Sequence, residues 1–172
     1  MKFTEAAFRA LEHEMIAFVS EHHKNQTYGG DKPYTYHLRQ VRDTCYRYMP
    51  YLPYGQGIEV IVLAAWGHDL IEDCGVTREE IASRFGEEVA ELIDLMSNVG
   101  PGSRKDRAAG YYQKIRTSVS AVYLKLMDRI ANIEAGGKVK MYREEHLVFK
   151  AGMYKAGEMD PIWNELDLLL AA

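Results

Sequence analysis

Cysteine is scarce: Cys45 and Cys74 are the only two in 172 residues, too few and too far apart for a disulfide framework or a thiolate zinc knuckle. Reduced thiols in a cytoplasmic protein are the expectation. No apolar run is long enough to span a bilayer, and the opening stretch MKFTEAAFRALEHEMIAFV is amphipathic, with acids and His13 interrupting any signal-peptide core. The sequon Asn25-Gln26-Thr27 therefore carries no weight. Excess positive charge is also missing, since 21 Lys and Arg against 25 Asp and Glu leave a net charge of −4, which argues against a general nucleic-acid or acidic-membrane binder. Neither GxxxxGK[ST] nor GxGxxG occurs, and no serine sits in a nucleophile elbow, so phosphate-loop, dinucleotide and serine-hydrolase chemistries lack their signatures. With five prolines and no Pro/Gly/Ser-rich linker, one domain over residues 1–172 is expected.

Alternating strand patterns are absent too, and helical periodicity runs throughout. Thr4 can cap a helix reaching about His23, with Phe8, Leu11, Met15, Phe18 and Val19 along its apolar face. After the YGGDKP loop, further helices are predicted over about 34–48, 58–73, 77–86, 87–96, 104–117, 118–134, 139–156 and 161–171. The fold class is all-α, a helical bundle of about eight to nine helices.

The most informative segment is IEVIVLAAWGHDLIED, residues 58–73, an apolar run that ends abruptly in His68, Asp69, Glu72 and Asp73. On a continuous helix His68 and Glu72 fall within about 40° of each other, as do Asp69 and Asp73, so the four groups share one side of its end. Three carboxylates gathered beside a core segment need a cation, shared protons or hydrogen bonds, and a divalent metal is the simplest answer. By itself such a pair is more often a solvated helix face. Two outlying residues change the balance. His37 follows Pro-Tyr-Thr-Tyr, and Asp128 lies in YLKLMDRIANI beside the inward-pointing Leu124, Met127 and Ile130. Together His37, His68, Asp69 and Asp128 form a mixed imidazole and carboxylate set suited to Mn²⁺, Zn²⁺, Fe²⁺ or Ni²⁺.

The order His37, His68-Asp69, Asp128 resembles the HD-domain metal-dependent phosphohydrolase superfamily. WGHDLIEDCGVTREEIASRFGEEVAELI is closer still to the hydrolase domains of the RelA/SpoT group, whose sequences read LLHDxxEDT and then FGxxVAxLV. KLMDRIANI resembles that group's KLADRLHNM, and HHKNQTYGGDKPYTYH its AHxGQxRKxGxPYxxH, so the likeness covers roughly residues 20–135.

The resemblance implies one divalent transition metal, Mn²⁺ first, on His37, His68, Asp69 and Asp128. It makes Glu72 and Asp73 the acidic pair that orients and deprotonates the attacking water, and Asn132 a contact to a nucleotide sugar. The implied partner is a small-molecule nucleotide, and the implied activity is guanosine 3′,5′-bis(diphosphate) 3′-pyrophosphohydrolysis. The alternatives are a phosphatase for a nucleoside monophosphate or the 2′-phosphate of NADPH, or a non-catalytic nucleotide sensor. Thr27-Tyr28 replaces the basic pair with which the group holds guanine, so base selectivity is expected to be weak unless Lys24 or Lys32 substitutes. The tyrosine that the group carries after the Asn lacks a clear counterpart, Lys150 or Tyr154 falling nearest. Residues 104–116, RKDRAAGYYQKIR, carry five basic groups and one acid, and Arg104 and Lys105 are candidate phosphate contacts at the mouth of the site.

Overall fold

The computed structural model describes residues 3–172. The chain runs through α1 (Glu5–His22), a two-residue ladder of β1 (Thr27–Tyr28) and β2 (Lys32–Pro33), α2 (Thr35–Tyr48), a 3-10 turn at Met49–Tyr51, α3 (Ile58–Gly67) and α4 (Leu70–Cys74). It continues through α5 (Arg78–Phe85), α6 (Glu87–Met96), α7 (Arg104–Arg116), α8 (Val119–Glu134), α9 (Val139–Met153) and α10 (Asp160–Ala171). Eight of the nine helical segments read from the sequence are present as single helices, and the ninth, 58–73, is divided in two. No helix among the described residues is long and apolar enough to cross a membrane.

Two differences from the sequence reading matter. The YGGDKP loop folds as a hairpin, Thr27 pairing with Pro33 and Tyr28 with Lys32, and its tip uses Gly29 and Gly30 at φ 63° and 104°. Strands this short leave no alternating pattern to detect. The segment 58–73 is also not one helix. Asp69, at φ −101° and ψ −1°, lies in the bridge region and divides it into α3 and α4. The break does not separate the acidic groups: the Asp73 N–H still bonds the Asp69 carbonyl at 2.8 Å, and Asp69 and Asp73 stay on one side, as expected.

Two helices form the interior. In α3 every residue from Val60 to Gly67 is buried, and in α8 every residue from Ala121 to Ile133. The two pack on each other and share α2 and α6 as neighbours. Gly67 lets these side chains pack closely, because a Cβ there would lie 2.7 Å from Ile93 Cδ1 and 3.2 Å from Leu70 Cδ1 and would force both to shift. The close approach seats the end of α3 against α6 just before His68. Thr77 caps α5 through the Glu80 N–H at 3.1 Å, while the full reciprocal capping box is closed at α7 by Ser103 and Asp106.

Candidate metal centre and its cavity

Three elements deliver the predicted ligands to one point. His37 comes from the first turn of α2, His68 and Asp69 from the α3–α4 break, and Asp128 from the middle of α8. Ligand atoms of His37, His68 and Asp69 lie within 4.8 Å of one another. Asp128 Oδ1 closes the set, 3.4 Å from His37 Nε2 and 3.7 Å from His68 Nε2. His68 Nε2 stands 3.1 Å, and His37 Nε2 3.9 Å, from Asp69 Oδ2.

The hydrogen bonding of His68 tests whether a cation belongs here. Its Nδ1 is 2.8 Å from the Ala65 carbonyl oxygen, which can only accept, so Nδ1 carries the proton. In the neutral ring Nε2 then presents a lone pair to two carboxylates, and among the described residues it has no hydrogen-bond partner. Lone pairs facing carboxylates repel one another unless a proton or a cation lies between them. Burial alone would lower the His68 pKa, but Asp69 and Asp128 outweigh it and raise it to about 10. Burial would raise both carboxyls, yet His68 holds Asp69 below the usual carboxylate range, and Lys125 with the two imidazoles holds Asp128 well below it. The donor set fits a divalent metal, which supplies the positive charge that these groups otherwise draw from a proton.

Neighbouring side chains fix the candidate ligands. Asn132 Nδ2 donates to Asp128 Oδ1 at 2.7 Å and to the Asp128 carbonyl at 2.9 Å, and Lys125 Nζ holds the other carboxylate oxygen at 2.8 Å. The Tyr34 hydroxyl reaches Asp69 Oδ2 at 2.7 Å and Asp73 Oδ2 at 3.2 Å, tying a predicted ligand to a predicted catalytic acid. Partial burial and the adjacent Asp69 raise the Asp73 carboxyl above its ordinary value, against the Tyr34 hydrogen bond. Glu72 Oε2 accepts the Asn98 N–H at 2.9 Å, and Arg107 clamps that loop through Asn98 Oδ1 at 3.1 Å.

Above the cluster opens a cavity of about 590 Å³ lined by His37, Asp69, Asp128, Glu72, Asp73 and Asn132, together with Tyr28, Tyr34, Arg104, Lys125, Lys138 and Tyr142. Residues 16–150 match the HD domain family. The chain belongs to the HD domain family. A relative in Aquifex aeolicus, named guanosine-3′,5′-bis(diphosphate) 3′-pyrophosphohydrolase, is 32% identical over 132 residues, which is 74% of this chain and 18% of the relative. A Vibrio cholerae protein of the same name is 30% identical over 144 residues, 80% of this chain and 19% of that protein. This HD domain therefore spans about a fifth of the length of these relatives. A solved structure described as a metazoan ortholog of SpoT that hydrolyzes ppGpp superposes with a TM-score of 0.70 over 96% of both chains at 16% identity, a likeness of fold.

Of the cationic contacts expected, Arg104 lines the HD cavity, paired with Glu145 at 3.1 Å. Lys24, Lys32 and Lys105 are not among its lining residues. Lys24 pairs with Glu21 on the exposed end of α1, Lys32 lies 4.1 Å over the Tyr36 ring, and Lys105 points outward from the first turn of α7. A basic run read along the sequence does not reveal which of its members turns inward. Tyr34, Lys125 and Lys138 also line the cavity and were not singled out, and Tyr28, noted only as standing where a basic residue was expected, lines it too. Tyr34 and Lys125 fall inside the two motifs already quoted, and Lys125 precedes Asp128 by one helical turn, so the spacing held that signal.

Proposed function

We propose that residues 1–172 form one HD phosphohydrolase domain that removes the 3′-pyrophosphate of guanosine 3′,5′-bis(diphosphate). The observation that carries this reading is the convergence of His37, His68, Asp69 and Asp128 at the buried floor of a cavity whose wall holds Glu72, Asp73 and Arg104. The activity named for the Aquifex aeolicus and Vibrio cholerae relatives supports the choice of substrate. Those four residues would hold one divalent transition metal, Mn²⁺ first and Zn²⁺, Fe²⁺ or Ni²⁺ as alternatives, which supplies Lewis acidity toward a phosphoryl oxygen and makes water a stronger acid.

The chain's own groups divide the remaining work. Glu72 takes the proton of the attacking water, its carboxylate directed by the Asn98 N–H on Oε2. Asp73, anchored through Tyr34 to Asp69, orients that water. Arg104 offers a cation to the phosphate oxygens from the cavity wall. Water attacks phosphorus, the bond to the 3′ oxygen breaks, and that oxygen takes up a proton, giving a guanosine 5′-diphosphate and pyrophosphate.

The test is a panel of guanosine 3′,5′-bis(diphosphate), its adenine counterpart, nucleoside monophosphates and NADPH, incubated with Mn²⁺-loaded protein and resolved by chromatography and mass spectrometry. Pyrophosphate and guanosine 5′-diphosphate are the expected products. Phosphate released only from NADPH or a monophosphate would move the activity to another nucleotide phosphatase, and tight binding without turnover would make the domain a sensor.

A further inference from the structure

The Asn132 side chain leaves little for a substrate. Both N–H groups of its amide go to Asp128, one to the backbone carbonyl and one to Oδ1, and its Oδ1 accepts the Tyr28 hydroxyl at 3.1 Å. Tyr28 is held in place independently. Its ring stacks on His37 with centroids 4.8 Å apart and planes 12° apart, and its backbone is part of the β1–β2 hairpin. The α8–α9 turn makes room for it through Gly137, where a Cβ would lie 3.2 Å from the Tyr28 oxygen. Because its proton is already given to Asn132, the Tyr28 oxygen meets the cavity as an acceptor alone. A phosphate oxygen placed there would bring lone pair against lone pair, whereas a sugar hydroxyl can donate.

We infer that Tyr28, not Asn132, is the residue that recognises a ribose hydroxyl beside the scissile phosphate, and that Asn132 acts as a positioning residue for Asp128. The inference rests on the nucleotide reading given above. It assigns to Tyr28 a preference for ribose over 2′-deoxyribose, made by one neutral hydrogen bond.

Calorimetric titration of the Mn²⁺-loaded protein with guanosine 3′,5′-bisphosphate and its 2′-deoxy counterpart reads this without turnover. The wild type should bind the ribonucleotide about tenfold more tightly, the scale of one such bond, and Tyr28→Phe should bring the ratio to within about twofold. Tyr28→Phe should keep its metal by elemental analysis and bind the deoxynucleotide as the wild type does. Asn132→Ala should instead lose metal affinity, since Asp128 is released. A Tyr28→Phe variant that keeps the ribose preference, or a wild type that binds neither ligand or both equally, overturns the assignment. A wild type that shows the preference yet cleaves no 3′-pyrophosphate supports the contact and overturns only the hydrolase reading.

Discussion

Two polar clusters on α8, centred on Asp128 and Arg129, are neighbours in sequence and opposites in chemistry. Around Asp128, two carboxylates and two imidazoles are offset by one cation, Lys125, so acceptors are in excess. Around Arg129 the balance is reversed. Arg129 is fully buried and, with Arg104, shares the carboxylate of Glu145, while its Nε and Nη1 lack hydrogen-bond partners among the described residues. The second cluster nevertheless closes within the protein, because the guanidinium lies 3.7 Å over the Phe149 ring centre and 4.5 Å from that of Tyr142, whose π faces attract a cation. Among the described residues no comparable partner relieves a His68 lone pair aimed at two carboxylates. An orphaned buried group therefore marks a functional site where its neighbours repel it, and a structural one where they satisfy it by other means.

The comparison breaks most visibly at Asp69. Replacing Asp69 with Ala should remove the bound metal and lower kcat/KM by more than about 10³-fold, equivalent to the several kcal/mol that such an ion contributes. Elemental analysis and pyrophosphate release check both. Glu72→Gln should keep the metal and the fold yet lose about 10²-fold in kcat, the scale of a general base. If that variant turns over at the wild-type rate, the proton goes to Asp73 instead.

On the Arg129 side the cost should appear in stability and not in metal content. Glu145→Gln strands a buried guanidinium, and because Glu145 is itself 26% exposed the expected loss is about 2 kcal/mol, or roughly 4–8 °C in Tm. Calorimetric unfolding measures it, and a variant that also loses metal would show that the two clusters are not separate. The smallest effect is expected at the link between Asp69 and Asp73: Tyr34→Phe deletes the hydroxyl that touches both and should weaken metal affinity about tenfold, read by competition with a chelator.

Much of this was legible in the sequence because its signals were local or periodic. The apolar run before His68, the inward face around Asp128 and the cap at Thr4 each placed the start of an element within a residue or two. What stayed hidden depends on chain reversals and on neighbours distant in sequence. The bridge conformation of Asp69 is invisible in a segment whose periodicity continues through it. The Tyr28 contact spans 104 positions to Asn132, and the hairpin that aims it is two residues deep. Arg104 and Lys105 are adjacent in sequence, yet only Arg104 turns toward the cavity, because Glu145 on α9 draws it inward.

The central claim is that the cluster of His37, His68, Asp69 and Asp128 holds one cation. Its most direct test is the metal stoichiometry of the wild-type protein after incubation with Mn²⁺, Zn²⁺, Fe²⁺ and Ni²⁺ in turn and removal of free ion. Close to one metal per chain, abolished by His68→Ala, is the predicted result. A wild type that remains metal-free with all four ions would contradict it.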